Sequence, residues 1–174
     1  GLDKLTQKLV SLKEHTESTT AQVEILNAKG QKVGQAEFVY ILDKNGAVKV
    51  RTTFQPDTTI VKSMARLGLT FQMNDAFNDI SYLGCGDNET YIDRNQSGRI
   101  SINRTTPERM FHYYVTPQST GNRTDVRWAK LTDQSGEGLF FESNVPFQLS
   151  IIPFSDILLE KARHINELER DGMV

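Results

Sequence analysis

The chain has one cysteine, Cys85, one tryptophan, Trp128, and three histidines among 174 residues, and each scarcity removes a class of chemistry. A lone thiol forms no internal disulfide and builds no cysteine metal site. His15, His112 and His164 are far apart, and none stands in a metal-ligand spacing such as HExxH. No apolar run approaches the roughly 20 residues that span a bilayer, and no charged-then-apolar leader opens the chain. No membrane partner is expected. The net charge is -2, and the aromatic residues are not interleaved with Lys/Arg clusters. Nucleic acid is therefore not expected as a partner. Asp43-Lys44-Asn45-Gly46 opens like a calcium loop, yet the later carboxylates and the closing Glu are missing. Internal repeats and low-complexity tracts are also absent.

What is present is a succession of short alternating segments punctuated by turn residues. Thr20 to Leu26 is alternating and β-branched, and Asn27-Ala28-Lys29-Gly30 follows as a turn. Ala36 to Leu42 and Ala47 to Phe54 flank Asp43-Lys44-Asn45-Gly46, where Asn-Gly tolerates the positive φ of a tight hairpin. Further strands are expected over Met64 to Met73, from Ile80 to Leu83, and over Arg99 to Arg104. At the N-terminus, Leu2, Leu5, Leu9 and Leu12 recur at helical spacing, which predicts a short helical turn before a strand. Thr106-Pro107-Glu108 places Pro at a first helical position. Ser155 caps a helix from Asp156 to Ala162 with an acidic first turn. The tail from Glu167 to Val174 reads as frayed. Eight to ten strands with brief helices, and 37% hydrophobic content, indicate one all-β sandwich domain over 1–174.

The richest stretch is Tyr113 to Asp133, YYVTPQSTGNRTDVRWAKLTD. Gly121 and Asn122 supply positive-φ turn chemistry. A strand follows, with Thr124, Val126, Trp128 and Lys130 on one face and Asp125, Arg127, Ala129 and Leu131 on the other. Trp128 is then expected in the core beside Val126. Asn122, Arg123, Asp125 and Arg127 are expected to serve the fold, the charged members as an ordered network. Thr132 to Gly136 turns the chain into a partner strand around Leu139 to Glu142.

Glycoside hydrolysis requires two carboxyl groups about 5 to 9.5 Å apart, one of them held protonated. Asp87, Glu89 and Asp93 form the compact acidic cluster beside aromatic residues. Their expected role is loop anchoring rather than catalysis, and no catalytic residue is assigned. Glu89, Tyr91, Arg94 and Trp128 are the carbohydrate-binding candidates, Trp128 because an aromatic face can stack on a sugar ring. His112 with Glu89 is the pair nearest to a mutarotase base and acid. Cys85, between two glycines, marks a strand end. Sequons at Asn88, Asn95, Asn103 and Asn122 are read as turn and strand residues.

Three blocks carry a family resemblance. YYVTPQSTGNRTDVRWAKLTDQSGEGL resembles the YxxPQExGNRTDVRWxxLTDxxGxGL signature of the C-terminal domain of the large bacterial β-galactosidases of glycoside hydrolase family 2. Tyr82 to Arg94 resembles that family's GxGPxExYxDR segment, with Asp87 where the family usually has Pro. Pro153 through Leu168 resembles its SPYS-helix-HxxEL ending. The resemblance implies an antiparallel two-sheet supersandwich, galactose mutarotase-like and truncated at both ends here. It further implies a non-catalytic part of an enzyme that hydrolyses terminal β-galactosyl residues with retention. The partners implied are a TIM-barrel domain bearing the catalytic glutamates, the other domains, the β-galactoside and further subunits. No cofactor is expected in this part, and divalent and monovalent cations belong to the parent enzyme. The compartment, bacterial cytoplasm or periplasm, stays open. The rival reading is an autonomous carbohydrate-binding module or a mutarotase-like protein.

Overall fold

A computed structural model describes residues 4–64, 66–86, 88–170 and 172–174. The chain divides into two compact units, residues 1–69 and 70–174. The first holds β1 (Thr6–His15), β2 (Ser18–Leu26), β3 (Lys32–Leu42) and β4 (Val48–Pro56), an antiparallel sheet in the order β1-β2-β3-β4. The second holds β5 (Asp79–Cys85), β6 (Ile100–Thr105), α1 (Pro107–Met110), β7 (Arg123–Thr132), β8 (Gly138–Leu149) and α2 (Asp156–Lys161), with its strands in the order β6-β5-β7-β8. Two antiparallel sheets and two short helices make the chain all-β, as the turn spacing implied.

The first sheet is a meander whose register sorts side chains by polarity. Leu9, Val23, Ala36 and Phe54 stand opposite one another across its strands, as do Lys8 with Glu24 and Gln22 with Glu37. Period-2 alternation therefore gives one apolar and one polar face. Gly46, at φ 82°, closes the β3–β4 hairpin where Asn-Gly was expected to do so. Lys4 lies in a 3-10 turn and the strand expected after a helical turn is β1, which holds Leu9 and Leu12 with a register shift between Leu9 and Ser11; Leu2 lies outside the described residues.

The second sheet buries one face. Ile80, Tyr82, Val126, Ala129 and Leu131 form its core with Met110 and Ile151, and Phe141 and Phe147 pack against them. Beside it, Phe111, Phe154 and Leu159 form a smaller cluster, with the rings of Phe111 and Phe154 edge to face at 5.0 Å. Both helices start where the sequence places them, since Thr106 accepts from the Arg109 N–H and Ser155 from the Leu158 N–H.

Three expectations fail. Trp128 is not a core residue: register shifts between Arg123 and Val126, and again between Val126 and Trp128, put Val126 inside and Trp128 outside. A bulge breaks simple alternation by adding a residue to one strand. The Trp128 ring lies half-buried on the outer face, stacked with Phe140 at 6.0 Å. Met64 to Met73 does not form a strand among its described residues, Ala65 lying outside them. Leu67, Leu69 and Phe71 are exposed, and the nearest ladder contact is an isolated bridge from Asn74 to Met173. Alternation alone does not make a strand without a partner to pair with. The tail is tied down rather than frayed, because Met73 and Val174 exchange N–H to carbonyl bonds of 2.9 and 2.8 Å, and Val174 packs on the core.

Candidate functional site

Glu89, Tyr91 and Arg94 lie where two long loops of the second unit meet. The first follows β5 and carries Glu89, Tyr91 and Arg94. It is closed by a two-residue turn in which Tyr91 and Arg94 bond each other's backbone at 3.1 and 2.9 Å. The second, residues 111–122, joins α1 to β7. Buried Thr90 fastens the first loop to the start of β7. Its hydroxyl accepts from the Thr124 N–H at 2.9 Å, its N–H donates to the Asn122 carbonyl at 2.8 Å, and its own carbonyl accepts from Asn122 Nδ2 at 2.7 Å.

Glu89 joins the two loops. One carboxylate oxygen accepts from Arg94 Nη2 at 2.7 Å and from the Tyr114 hydroxyl. The other accepts from Thr120 Oγ1 at 2.8 Å, the Gly121 N–H at 2.9 Å and the Tyr91 hydroxyl at 3.3 Å. Burial pushes this carboxyl upward, but the bonds from Tyr114, the Gly121 N–H, Thr120 and Arg94 outweigh it and hold the group at about 2. Burial raises the Tyr91 phenol to about 12, aided by the Glu89 charge. Bonds to Tyr114 and Glu89 hold the Arg94 guanidinium charged, and it lies over the Tyr91 ring at 5.2 Å.

The chemistry available follows from counting. A carboxylate offers about four lone-pair sites, and five donors already converge on this one. Held at about 2, the Glu89 carboxyl is ionised at neutral pH and holds no proton to donate there. Its oxygens are occupied, so it cannot act as base or nucleophile. The arrangement anchors loops.

The structure therefore brings Glu89, Tyr91 and Arg94 together and adds Tyr114, Thr120 and the Gly121 N–H, which the sequence reading did not assign. The YYV and QSTG motifs were visible, but nothing local says that Tyr114 and Thr120 reach back to a carboxylate 25 and 31 positions earlier. Trp128 stands apart on the sheet's outer face. Asp87 lies outside the described residues. His112 does not touch Glu89: its ring packs at 4.4 Å on Tyr114, which is what bonds Glu89.

Among the described residues, no ion pair joins Arg123, Asp125 and Arg127 to one another. Arg123 is buried, 4% exposed, and donates from Nε to the Tyr82 hydroxyl at 3.0 Å and from Nη1 to the Gly121 and Asn122 carbonyls at 3.2 Å each. Arg127 is exposed and donates to the Asp125 backbone carbonyl at 3.0 Å. Asp125 adopts φ 54°, and its carboxylate accepts from the buried Cys85 thiol at 3.7 Å. Among the described residues, both arginines bond to neutral oxygens instead. The Asn103 and Asn122 amides are likewise committed inside the fold, to the Gly84 and Thr90 carbonyls.

No three His, Cys, Asp or Glu side chains among the described residues gather as metal ligands. In the first unit, a recess of about 300 Å³ lies on the polar sheet face. Its Gln35 and Gln55 side chains bond each other at 2.8 Å, and Gln22 bonds Glu37 at 3.2 Å, so these walls satisfy themselves.

A family model for the β-galactosidase small chain matches residues 2–174. The chain is 27% identical to a β-galactosidase of Priestia megaterium over 97% of its own length and 17% of that protein. It is 34% identical to a β-galactosidase of Lactobacillus delbrueckii subsp. bulgaricus over 78% of its length and 13% of that protein. A β-galactosidase of Bifidobacterium adolescentis is 30% identical over 75% of the chain and 13% of the relative. The chain thus spans about one sixth or less of these relatives. Through the match along nearly its whole length, it belongs to the β-galactosidase small chain family.

Proposed function

We propose that the chain works as a non-catalytic part of a larger β-galactosidase, which hydrolyses terminal β-galactosyl residues with retention of configuration. The observation that carries this reading is the saturated Glu89 carboxylate. Among the described residues, the carboxyl group seated among aromatic residues is ionised, largely enclosed and fully bonded, which supports placing the acid and nucleophile of the reaction in another part of the enzyme. The family membership and the small share of each relative that the chain occupies support the same division of labour. In this reading the chain packs beside a catalytic barrel, shapes the rim of its active site and supports assembly with further subunits. The test is turnover of a chromogenic β-galactoside by the longer enzyme and by the 174-residue chain separately. Hydrolysis by the former alone is expected. Turnover by the purified chain would overturn the reading.

One observation favours a second reading, sugar binding by the chain itself. Trp128 is half-buried on the outer sheet face and stacked with Phe140, which leaves an aromatic ledge in reach of a ligand. Titration of the chain with galactose while following tryptophan fluorescence decides it, since a saturable change lost in Trp128→Ala is what this reading requires.

A further inference from the structure

The 111–122 loop is held more firmly than its lack of regular structure suggests. Glu89 holds it at Tyr114, Thr120 and Gly121. The His112 N–H donates to Thr120 Oγ1 at 3.2 Å, Ser150 Oγ donates to the Thr120 carbonyl at 2.9 Å, and Pro117 is buried. What this framework carries outward is unexpectedly apolar. Val115 is 89% exposed and Tyr113 54%, beside Tyr114. In the neighbouring loop, Ile92 is 79% exposed within the Tyr91–Arg94 turn, and Arg94 reaches Tyr114 from that loop at 3.3 Å. Arg94 uses Nη2 for both Glu89 and Tyr114. Its remaining nitrogens have no acceptor among the described residues.

We infer that Ile92, Arg94, Tyr113 and Val115 form a contact surface for the remainder of the larger enzyme. The occupying patch carries apolar side chains and a carboxylate or carbonyl for Arg94. This inference rests on the reading above, that the chain is one part of a longer β-galactosidase. Composition argues for protein over sugar: Val115 and Ile92 gain only from apolar burial, which a hydroxyl-covered sugar supplies poorly, whereas Tyr and Arg are the residues enriched where binding energy concentrates. Rigidity argues in the same direction, since a loop already ordered by Glu89 loses little freedom on docking. The cover is available within one polypeptide, because the relatives carry this segment as 17% or less of a longer chain.

Hydroxyl-radical footprinting of the intact longer enzyme tests the surface, with β-galactoside hydrolysis measured on the same preparation. Tyr113, Val115 and Ile92 are expected to label roughly tenfold more slowly than freely exposed residues of their type, because interface centres exclude water. Protection should persist on dilution. Val115→Asp, at a side chain that touches little of its own fold, should restore Tyr113 labelling to the free rate. Labelling at the free rate in the unmodified enzyme overturns the inference. Protection that disappears as subunits dissociate on dilution, followed by light scattering, overturns it in favour of a second copy. Hydrolysis decides the parent reading separately: an active enzyme with free labelling sinks this surface alone, and an inactive protein with persistent protection keeps the surface and sinks the enzyme.

Discussion

Replacing Glu89 with Gln keeps the volume of the side chain and removes its charge, so it isolates what the five donors contribute. The folded carboxyl titrates at about 2 against an ordinary value of 4.5. With each pKa unit worth about 1.4 kcal/mol, the ionised form contributes about 3 kcal/mol of stability. Because the folded value is depressed, that contribution is complete above the unfolded value. It is lost as the pH falls from about 5 through about 2. The side chain is 10% exposed, so solvent screening removes little of it. Glu89→Gln should therefore lower stability at pH 7 by about 3 kcal/mol, a fall in urea midpoint of roughly 1–3 M for ordinary denaturant slopes. The gap between the two proteins should close as both are taken toward pH 2. Urea unfolding of both at a series of pH values reads this directly. A gap that is absent at pH 7, or equally large at pH 2.5, refutes the reasoning.

Three further substitutions probe the same framework. Gly121→Ala should cost more than Gly136→Ala in melting experiments. Both have positive φ, but a Cβ at Gly121 meets the Met110 carbonyl and Ile152 at 2.8 Å, while one at Gly136 meets nothing within 4 Å. Arg123→Met should destabilise by about 2–4 kcal/mol by removing the buried donor that bonds the Tyr82 hydroxyl and the Gly121 and Asn122 carbonyls, whereas exposed Arg127→Met should stay within about 0.5 kcal/mol. Val126→Ala, at a side chain with no exposure, should lower the urea midpoint more than Trp128→Ala does, reversing the order that residue size alone suggests.

The sequence exposed the strands wherever turn chemistry and alternation agreed. Asn45-Gly46 located the β3–β4 hairpin, and Thr106 and Ser155 located both helix starts, because each of these signals acts within a few residues. Bulges were invisible, since an added residue in β7 changes no residue type yet reverses which face Trp128 occupies. Val126 and Trp128 then part company. The Met64 to Met73 pattern failed for a related reason: alternation describes a surface a strand would offer, and pairing depends on a neighbour elsewhere in the chain. Within the candidate site, Glu89, Tyr91 and Arg94 were legible as a cluster because they lie within six residues. Tyr114, Thr120 and Gly121 were not, because their part depends on a loop returning to a carboxylate from a distance. It is these later arrivals that convert an acid beside aromatic residues into a bonded anchor.

The central claim, that this anchor holds structure and does no chemistry, is met most directly by the rate of β-galactoside hydrolysis in the longer enzyme carrying Glu89→Gln. The rate is measured per folded molecule at a temperature where both proteins are folded. Removing a general acid or base typically costs 10² to 10⁴ in rate, so a change below about tenfold, with stability reduced, is the result predicted here. A loss of about a thousandfold in kcat from a folded variant would contradict it.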